Sequence, residues 1–348
     1  MIEIPSPLRL RLDRDALVAN WRWLAAQSGA AACGAAIKAD GYSLGARDVV
    51  RYLAAAGCRD FFVATWTEAA ALMPLQEGVS LSVLHGVGTS DMVAARMLPA
   101  RPVLNSLEQV ARWREAGEGR PCDVMIDTGM SRLGLRVDEA MGGALDGISI
   151  ETLLSHLASA DEDSEQNARQ LAAFRALSQS IPARRYSLAN SAGICLGADY
   201  AFDLTRPGIA LYGGIPRGEA QGHVRQVVYP EARVLQVRTV RQGETVGYGA
   251  TWTAPRDGCV AIANMGYADG FLRCHAGSAG AAWQTRVLPL IGRVSMDLIA
   301  FDAGNAAAIG EGDWLALDYD LPTTAANSGL SQYELLTALG SRFDRIWT

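Results

Sequence analysis

Cys58-Arg59-Asp60-Phe61-Phe62-Val63-Ala64 reads as a short strand, and Thr67 to Leu75 behind it as a helix. An apolar run too short for a helix, followed at once by an amphipathic stretch, is the local signature of a βαβ unit, in which helices cover a parallel sheet. The alternation recurs up to about residue 215. Leu81-Ser82-Val83-Leu84, Pro102-Val103-Leu104, Asp123-Val124-Met125-Ile126, Ile150-Glu151-Thr152-Leu153-Leu154, Arg185-Tyr186-Ser187-Leu188 and Ile209-Ala210-Leu211-Tyr212 are further strand candidates, and the run ending at Lys38 makes eight. Eight right-handed βαβ crossovers close into a (β/α)8 barrel, although an open doubly wound sheet shares the local pattern. No Gly-x-Gly-x-x-Gly follows the first strand, which counts against a dinucleotide-binding sheet.

From about Val227 the period changes to two. Val234, Gln236, Arg238 and Val240 share one strand face, and Val260-Ala261-Ile262-Ala263, Arg286-Val287-Leu288-Pro289-Leu290 and Trp314-Leu315-Ala316-Leu317 follow as strands. Ala276 to Ala282, all small residues, reads as a loop, and Tyr333 to Leu339 as a short helix. The expected architecture is therefore α/β: a (β/α)8 TIM-type barrel over residues 1–227 and a mostly β C-terminal domain over 228–348.

A net charge of −6 and the absence of any basic run argue against nucleic acid as a partner, and no apolar segment approaches the ~20 residues a membrane span needs. Met1-Ile2-Glu3-Ile4-Pro5-Ser6-Pro7 lacks the features of a signal peptide, so a cytoplasmic location is expected. The six cysteines are irregularly spaced with no Cys-x-x-Cys, which indicates neither a metal site nor a disulfide framework.

Lys38 is the only lysine in the chain. Arginine cannot give up its proton to act as an amine, whereas lysine, with a reference pKa of about 10.4, can be desolvated into a nucleophile toward carbonyl compounds. One position thus holds all the side-chain amine chemistry. By itself that is equally the mark of a genome that favours arginine codons.

Several short segments are richer in polar residues, glycine and aromatics than strand ends require. They are Lys38-Ala39-Asp40-Gly41-Tyr42, Asp127-Thr128-Gly129-Met130-Ser131-Arg132-Leu133-Gly134, Ser155-His156-Leu157-Ala158, Ala189-Asn190-Ser191-Ala192-Gly193, Arg206-Pro207-Gly208-Ile209, Gly247-Tyr248-Gly249 and Gly266-Tyr267-Ala268-Asp269-Gly270. The barrel segments follow proposed strands, where barrel enzymes keep their active sites. In this order, with Gly292-Arg293-Val294-Ser295-Met296-Asp297 and Tyr333-Glu334 behind them, the chain resembles the alanine racemases from Lys38 to Tyr333.

The resemblance implies an isomerase that uses pyridoxal 5'-phosphate (PLP) to interconvert L- and D-alanine, working as a homodimer whose active sites take residues from both subunits. Lys38 matches the lysine that binds PLP covalently and serves as the base on one face of the substrate. Tyr248 matches the base on the other face, contributed by the partner subunit; a phenol with a reference pKa of about 10 needs cationic neighbours for that task. His156 and Arg206 match residues linking that tyrosine toward the cofactor, and Arg206 the arginine at the pyridine nitrogen. Tyr42, Ser191, Tyr333 and the backbone amides of Gly208 and Ile209 match the phosphate site. Arg132 and the Met296 amide match the carboxylate site, and Tyr267 and Asp297 the lining of the substrate pocket. No metal is implied.

Singly, each has a plainer reading: His156 as a hydrogen-bonded strand-end histidine, Tyr248 and Tyr267 as core aromatics, Gly129 and Gly134 as turn residues, Asp127 as a structural residue binding nearby backbone or an arginine. The chain also departs from the family pattern. A carbamylated lysine is common seven residues before the arginine matching Arg132, and here that position is Met125. Ser187 stands where a histidine is frequent. Other readings are a racemase for serine or a broader amino-acid set, a non-enzymatic PLP carrier, and a barrel-type decarboxylase. A carrier lacks the β domain and Tyr248, and the decarboxylases lack counterparts of the Asp127 to Arg132 and Gly247-Tyr248-Gly249 segments.

Overall fold

The computed structural model describes residues 5–304 and 308–348 and divides into two compact units, residues 17–225 and residues 1–16 with 226–348. In the first, parallel strands run in the order Arg185–Ser187, Ile150–Leu154, Cys122–Asp127, Arg101–Leu104, Ser80–Val83, Asp60–Val63 and Ala35–Ala36. Leu204–Thr205 closes the ring. It pairs in parallel with Ala32–Cys33. Backbone bonds from Asp203 N to Tyr186 O (3.0 Å) and from Arg206 N to Ala189 O (2.9 Å) tie it to the seventh strand. The result is the expected eight-stranded barrel, with the first strand split into Ala32–Cys33 and Ala35–Ala36.

Burial explains the pattern. All four residues of Asp60–Val63 are buried, as in a strand covered on both faces. The helix Ala46–Ala56 buries Ala46, Val49, Val50, Leu53 and Ala54, an i, i+3, i+4, i+7, i+8 stripe laid against the sheet. Inside the barrel, Phe62, Val103, Met125, Leu154 and Leu204 form one cluster contributed by five strands.

In the second unit Val228–Val240 pairs with Gly258–Asn264 at one end and with Trp314–Leu317 at the other. Leu298–Gly304, Arg286–Ile291 and Gly280–Trp283 complete a curled antiparallel sheet between them. A register shift between Val234 and Gln236 marks the point where the long strand changes partners.

Three expectations change. Residues 5–16 do not belong to the barrel: Leu8-Arg9-Leu10-Arg11-Leu12 alternates buried and half-buried residues and pairs antiparallel with Val228 to Ala232, so the units divide at 16/17 and 225/226 rather than at 227/228. Ile209–Tyr212 is a 3-10 turn, and the eighth strand is the two-residue Leu204–Thr205 just before it. Within Ala276 to Ala282, Gly280 onward is strand, held by Arg286–Ile291.

Candidate active site

At the carboxyl end of the first barrel strand, Lys38 opens a turn in which Ala39, Asp40, Gly41, Tyr42 and Ser43 all take the left-handed conformation. The lysine side chain is accessible to solvent inside the barrel mouth. Crowding by the surrounding protein nevertheless lowers its proton affinity, Arg132 lowers it further, and Glu68 opposes both.

Arg132 rides on the loop after the fifth strand. That loop is tightened by Asp127, whose Oδ1 accepts from Gly129 N and Met130 N at 2.8 Å each, so the backbone-binding reading of Asp127 stands. Gly134 has φ +122, and a Cβ there would lie 2.7 Å from Asp127 N, which excludes any larger residue.

His156 follows the sixth strand. Burial, then Arg206, Arg132 and Lys38 in that order, push its pKa down to about 3, so the imidazole is neutral at physiological pH. Arg206 follows the eighth strand and is buried, with Nη1 donating to Ser187 Oγ and Nη2 to Ser155 O at 2.6 Å. Burial pushes its pKa down to about 10, against the distant pull of Asp123, and it stays cationic at neutral pH.

Ser191 opens a short helix capped by Asn190, and its Oγ accepts from Gly208 N (2.8 Å) and Ala210 N (3.3 Å). The Gly208 amide is thus engaged by the Ser191 hydroxyl, which ties the two expected phosphate-site residues together. Gly208 also abuts Tyr42: a Cβ would collide with the Tyr42 hydroxyl. Tyr42 stacks on Tyr212 at 4.6 Å, and Tyr212 Oη donates to Ala36 O at 2.9 Å, fixing both rings.

Tyr248, Tyr267, Met296, Asp297 and Tyr333 belong to the β unit. Tyr248 is 69% exposed, on the rim of a groove of about 950 Å³ that Val246, Arg293, Ser295 and Leu298 also line. The Met296 carbonyl accepts from Ala268 N (3.1 Å), fastening the Met296 turn to the segment of Tyr267, over whose ring the Arg273 guanidinium lies at 5.4 Å. Asp297 is engaged by Arg342 at 2.8 Å, and Arg342 also holds buried Asp269 at 2.6 Å.

Three residues escaped the sequence reading. Glu68 accepts from Ala39 N (2.8 Å) and Ala64 N (2.6 Å). Its signal was the capping box begun by Thr65. Gln170 is fully buried in the Glu165–Ser180 helix; it accepts from Ala158 N (2.8 Å) and donates to His156 O (2.9 Å) and Thr128 Oγ1 (3.1 Å). One turn earlier, Gln166 donates to Gly129 O at 2.9 Å. A Gln at i and i+4 was visible, but not what it would meet.

The mouth thus gathers Lys38, Arg132, His156 and Arg206, and the positive charge there is opposed, among the described residues, by Glu68 beside Lys38 and by Asp123 deeper in the barrel. Such an excess fits a ligand carrying a phosphate and a carboxylate, with an amine at hand for its carbonyl. Groups of three or more metal-ligating side chains are absent among the described residues.

Residues 12–216 match the alanine racemase N-terminal domain and residues 227–347 the alanine racemase C-terminal domain. The chain belongs to the alanine racemase family. Alanine racemase of Acidiphilium cryptum is 42% identical over 97% of this chain and 98% of its own length. Alanine racemase of Methylobacterium nodulans is 43% identical, covering 97% and 95%. The crystal structure of alanine racemase from Bartonella henselae with covalently bound pyridoxal phosphate superposes with a TM-score of 0.90 at 35% identity, covering 99% of this chain and 100% of that one.

Proposed function

We propose that this alanine racemase family member interconverts L-alanine and D-alanine with pyridoxal 5'-phosphate, by proton transfer on both faces of the α-carbon. The observation that carries the reading is the meeting of the chain's single lysine with Arg132, His156 and Arg206 in one barrel mouth, beside the Ser191, Gly208 and Tyr42 cradle. When bound, PLP supplies the conjugated ring that takes up the electrons released as the α-proton leaves.

The chain's own residues do the rest. Lys38 would hold the cofactor, and the crowding and Arg132 that lower its proton affinity favour the amine form that a nucleophile, and then a base, requires. Ser191 and Tyr42, with Tyr333, would hold the phosphate. Arg206, which carries hydrogens on every nitrogen and accepts none, would leave the ring nitrogen without a proton, making the ring a weaker electron sink and limiting side reactions. Arg132 and the Met296 amide would hold the substrate carboxylate, with Tyr267 and Asp297 bounding the pocket. Tyr248 would hold the second proton.

A second copy of the chain supplying Tyr248 is part of the proposal. Its support is the exposure of Tyr248 on the groove rim together with exposed Met296 and Leu298, an apolar face suited to burial in a homodimer. The cytoplasm is the proposed location, because all six cysteines are free thiols, as suits a reducing compartment. No helix among the described residues is long and apolar enough to cross a membrane.

The deciding experiment incubates PLP-loaded protein with L-alanine in deuterated water and follows α-proton loss and D-alanine together. Exchange with D-alanine formation is expected, abolished in Lys38→Ala. Exchange without D-alanine, or none, refutes the racemase reading. Tyr248→Phe is expected to lose exchange from L-alanine selectively, and equal exchange from both enantiomers would put the second base elsewhere.

A further inference from the structure

The turn after Lys38 is costly. Ala39, Asp40, Tyr42 and Ser43 hold φ of 53, 52, 55 and 67 without being glycine. Each L-residue in that region crowds its Cβ against the following carbonyl oxygen, so the turn needs fasteners. Two carboxylates provide them. Asp40 Oδ1 accepts from Ala46 N at 2.8 Å, closing the far side of the turn. Glu68 closes the near side: Oε1 accepts from Ala39 N at 2.8 Å, while Oε2 accepts from Ala64 N at 2.6 Å and Thr65 N at 3.3 Å.

Glu68 is therefore more than a helix cap. Capping needs only the bond to its own N-cap backbone and the return bond from Glu68 N to Thr65 Oγ1 at 3.2 Å. The other carboxylate oxygen is spent on the first peptide after the lysine. We propose that Glu68 is a positioning residue for Lys38: its carboxylate ties the Lys38–Ala39 peptide to the end of the second barrel strand and sets a negative charge beside the amine. The inference rests on the assignment of Lys38 as the working amine.

The charge has a definite part to play. The titratable or charged groups facing Lys38 are Arg132 from the loop after the fifth strand, His156 from the loop after the sixth, and Glu68 from the helix after the second. Burial and Arg132 draw the amine's proton affinity down, His156 is neutral, and Glu68 alone of the three raises it. An amine stripped of that counter-charge is a weaker base toward the α-proton.

Because Lys38 is the only lysine, full-length protein grown on lysine labelled with carbon-13 at Cε gives one side-chain signal, whose pH titration reads this amine without any assay of turnover. In Glu68→Gln the midpoint is expected to fall by about one pH unit, and in the PLP-loaded enzyme kcat by about tenfold with KM for alanine changed less than twofold. Thr65→Ala breaks the cap but leaves the carboxylate, and its midpoint is expected to match wild type. An unchanged midpoint in Glu68→Gln, or an equal fall in Thr65→Ala, overturns the proposal. Should Glu68→Gln not fold, Glu68→Asp decides: a smaller fall in both midpoint and kcat supports the role, and no change in either refutes it. A wild-type protein that fails to racemise alanine would sink the racemase reading, while the titration would still settle whether Glu68 governs Lys38.

Discussion

The Arg206 guanidinium donates to the Ser187 hydroxyl, which in turn donates to the Leu204 carbonyl, so a serine on the seventh strand fixes the cation at the end of the eighth. Among the described residues no carboxylate touches Arg206; its other bond goes to the Ser155 carbonyl. A histidine at this position could titrate near neutrality, whereas the serine hydroxyl cannot. Arg206 is therefore anchored without regard to pH.

Ser187→Ala leaves a buried N–H of Arg206 without an acceptor. The expected cost is about 1–3 kcal/mol in urea denaturation, together with a several-fold loss of kcat and faster PLP release as the guanidinium swings loose. A variant with wild-type stability and wild-type cofactor retention would show that Ser155 alone orients Arg206.

His156 makes stability depend on pH. Its pKa is about 3 in the fold, where burial and three cations oppose the imidazolium, against about 6.5 in the unfolded chain. Between those values the unfolded state binds the extra proton. The histidine's contribution is thus fully present above pH 6.5 and is lost progressively as pH falls toward 3, by an amount of the order of several kcal/mol. Denaturation midpoints from pH 7 down to 4 check this by difference: His156→Gln is expected to lose stability less steeply than wild type, and parallel curves would mean that His156 titrates normally in the fold.

Gln170 joins two loops of the site. It holds the His156 loop through Ala158 N and His156 O and the Arg132 loop through Thr128 Oγ1, while Thr128 shares a 2.8 Å hydrogen bond with Ser155, the residue whose carbonyl holds Arg206. Gln170→Leu abandons three part-buried hydrogen-bond partners at once. A loss of about 3 kcal/mol is expected, with KM for alanine rising more than kcat falls, since the loop that carries Arg132 is released first. Steady-state kinetics in both directions test it, and a pure kcat effect would count against the loop argument.

Much of this was legible because chemistry at a barrel mouth is tied to strand ends, and strand ends show as breaks in apolar runs. Lys38, Arg132, His156, Ser191 and Arg206 each sit just past such a break. Leu204–Thr205 was not legible, since two residues carry no period, and the apolar Ile209 to Leu211 next to it serves the turn around Gly208 instead. Gly280-Ala281-Ala282 lacks the branched and aromatic residues of ordinary strands and is held by its neighbours Arg286–Ile291 and Trp314–Leu317. Leu8 to Leu12 alternates plainly, but its partner lies more than two hundred residues away. Glu68, Ser187 and Gln170 act through bonds to backbone and hydroxyls distant in sequence, which no local spacing encodes.

Met125 leaves Arg132 in an unusual position. The methionine side chain is buried among Phe62, Val103, Leu154 and Leu204 and brings no charge to the arginine. Arg132 itself is exposed, and no carboxylate forms an ion pair with it among the described residues. A fork meant for a substrate carboxylate is better aimed when an anion holds its far side. A small inorganic anion can take that place, so KM for alanine is expected to rise several-fold when chloride is replaced by gluconate at constant ionic strength, with kcat nearly unchanged. Met125→Lys sharpens the test. In bicarbonate its amine can add carbon dioxide and release a proton, giving a carbamate anion, and the dependence on chloride should then vanish. Equal KM in chloride and gluconate for the wild-type enzyme would mean that Arg132 is oriented by its loop alone, with Asp127 and Gln166 holding the turn rigid enough to need no anion.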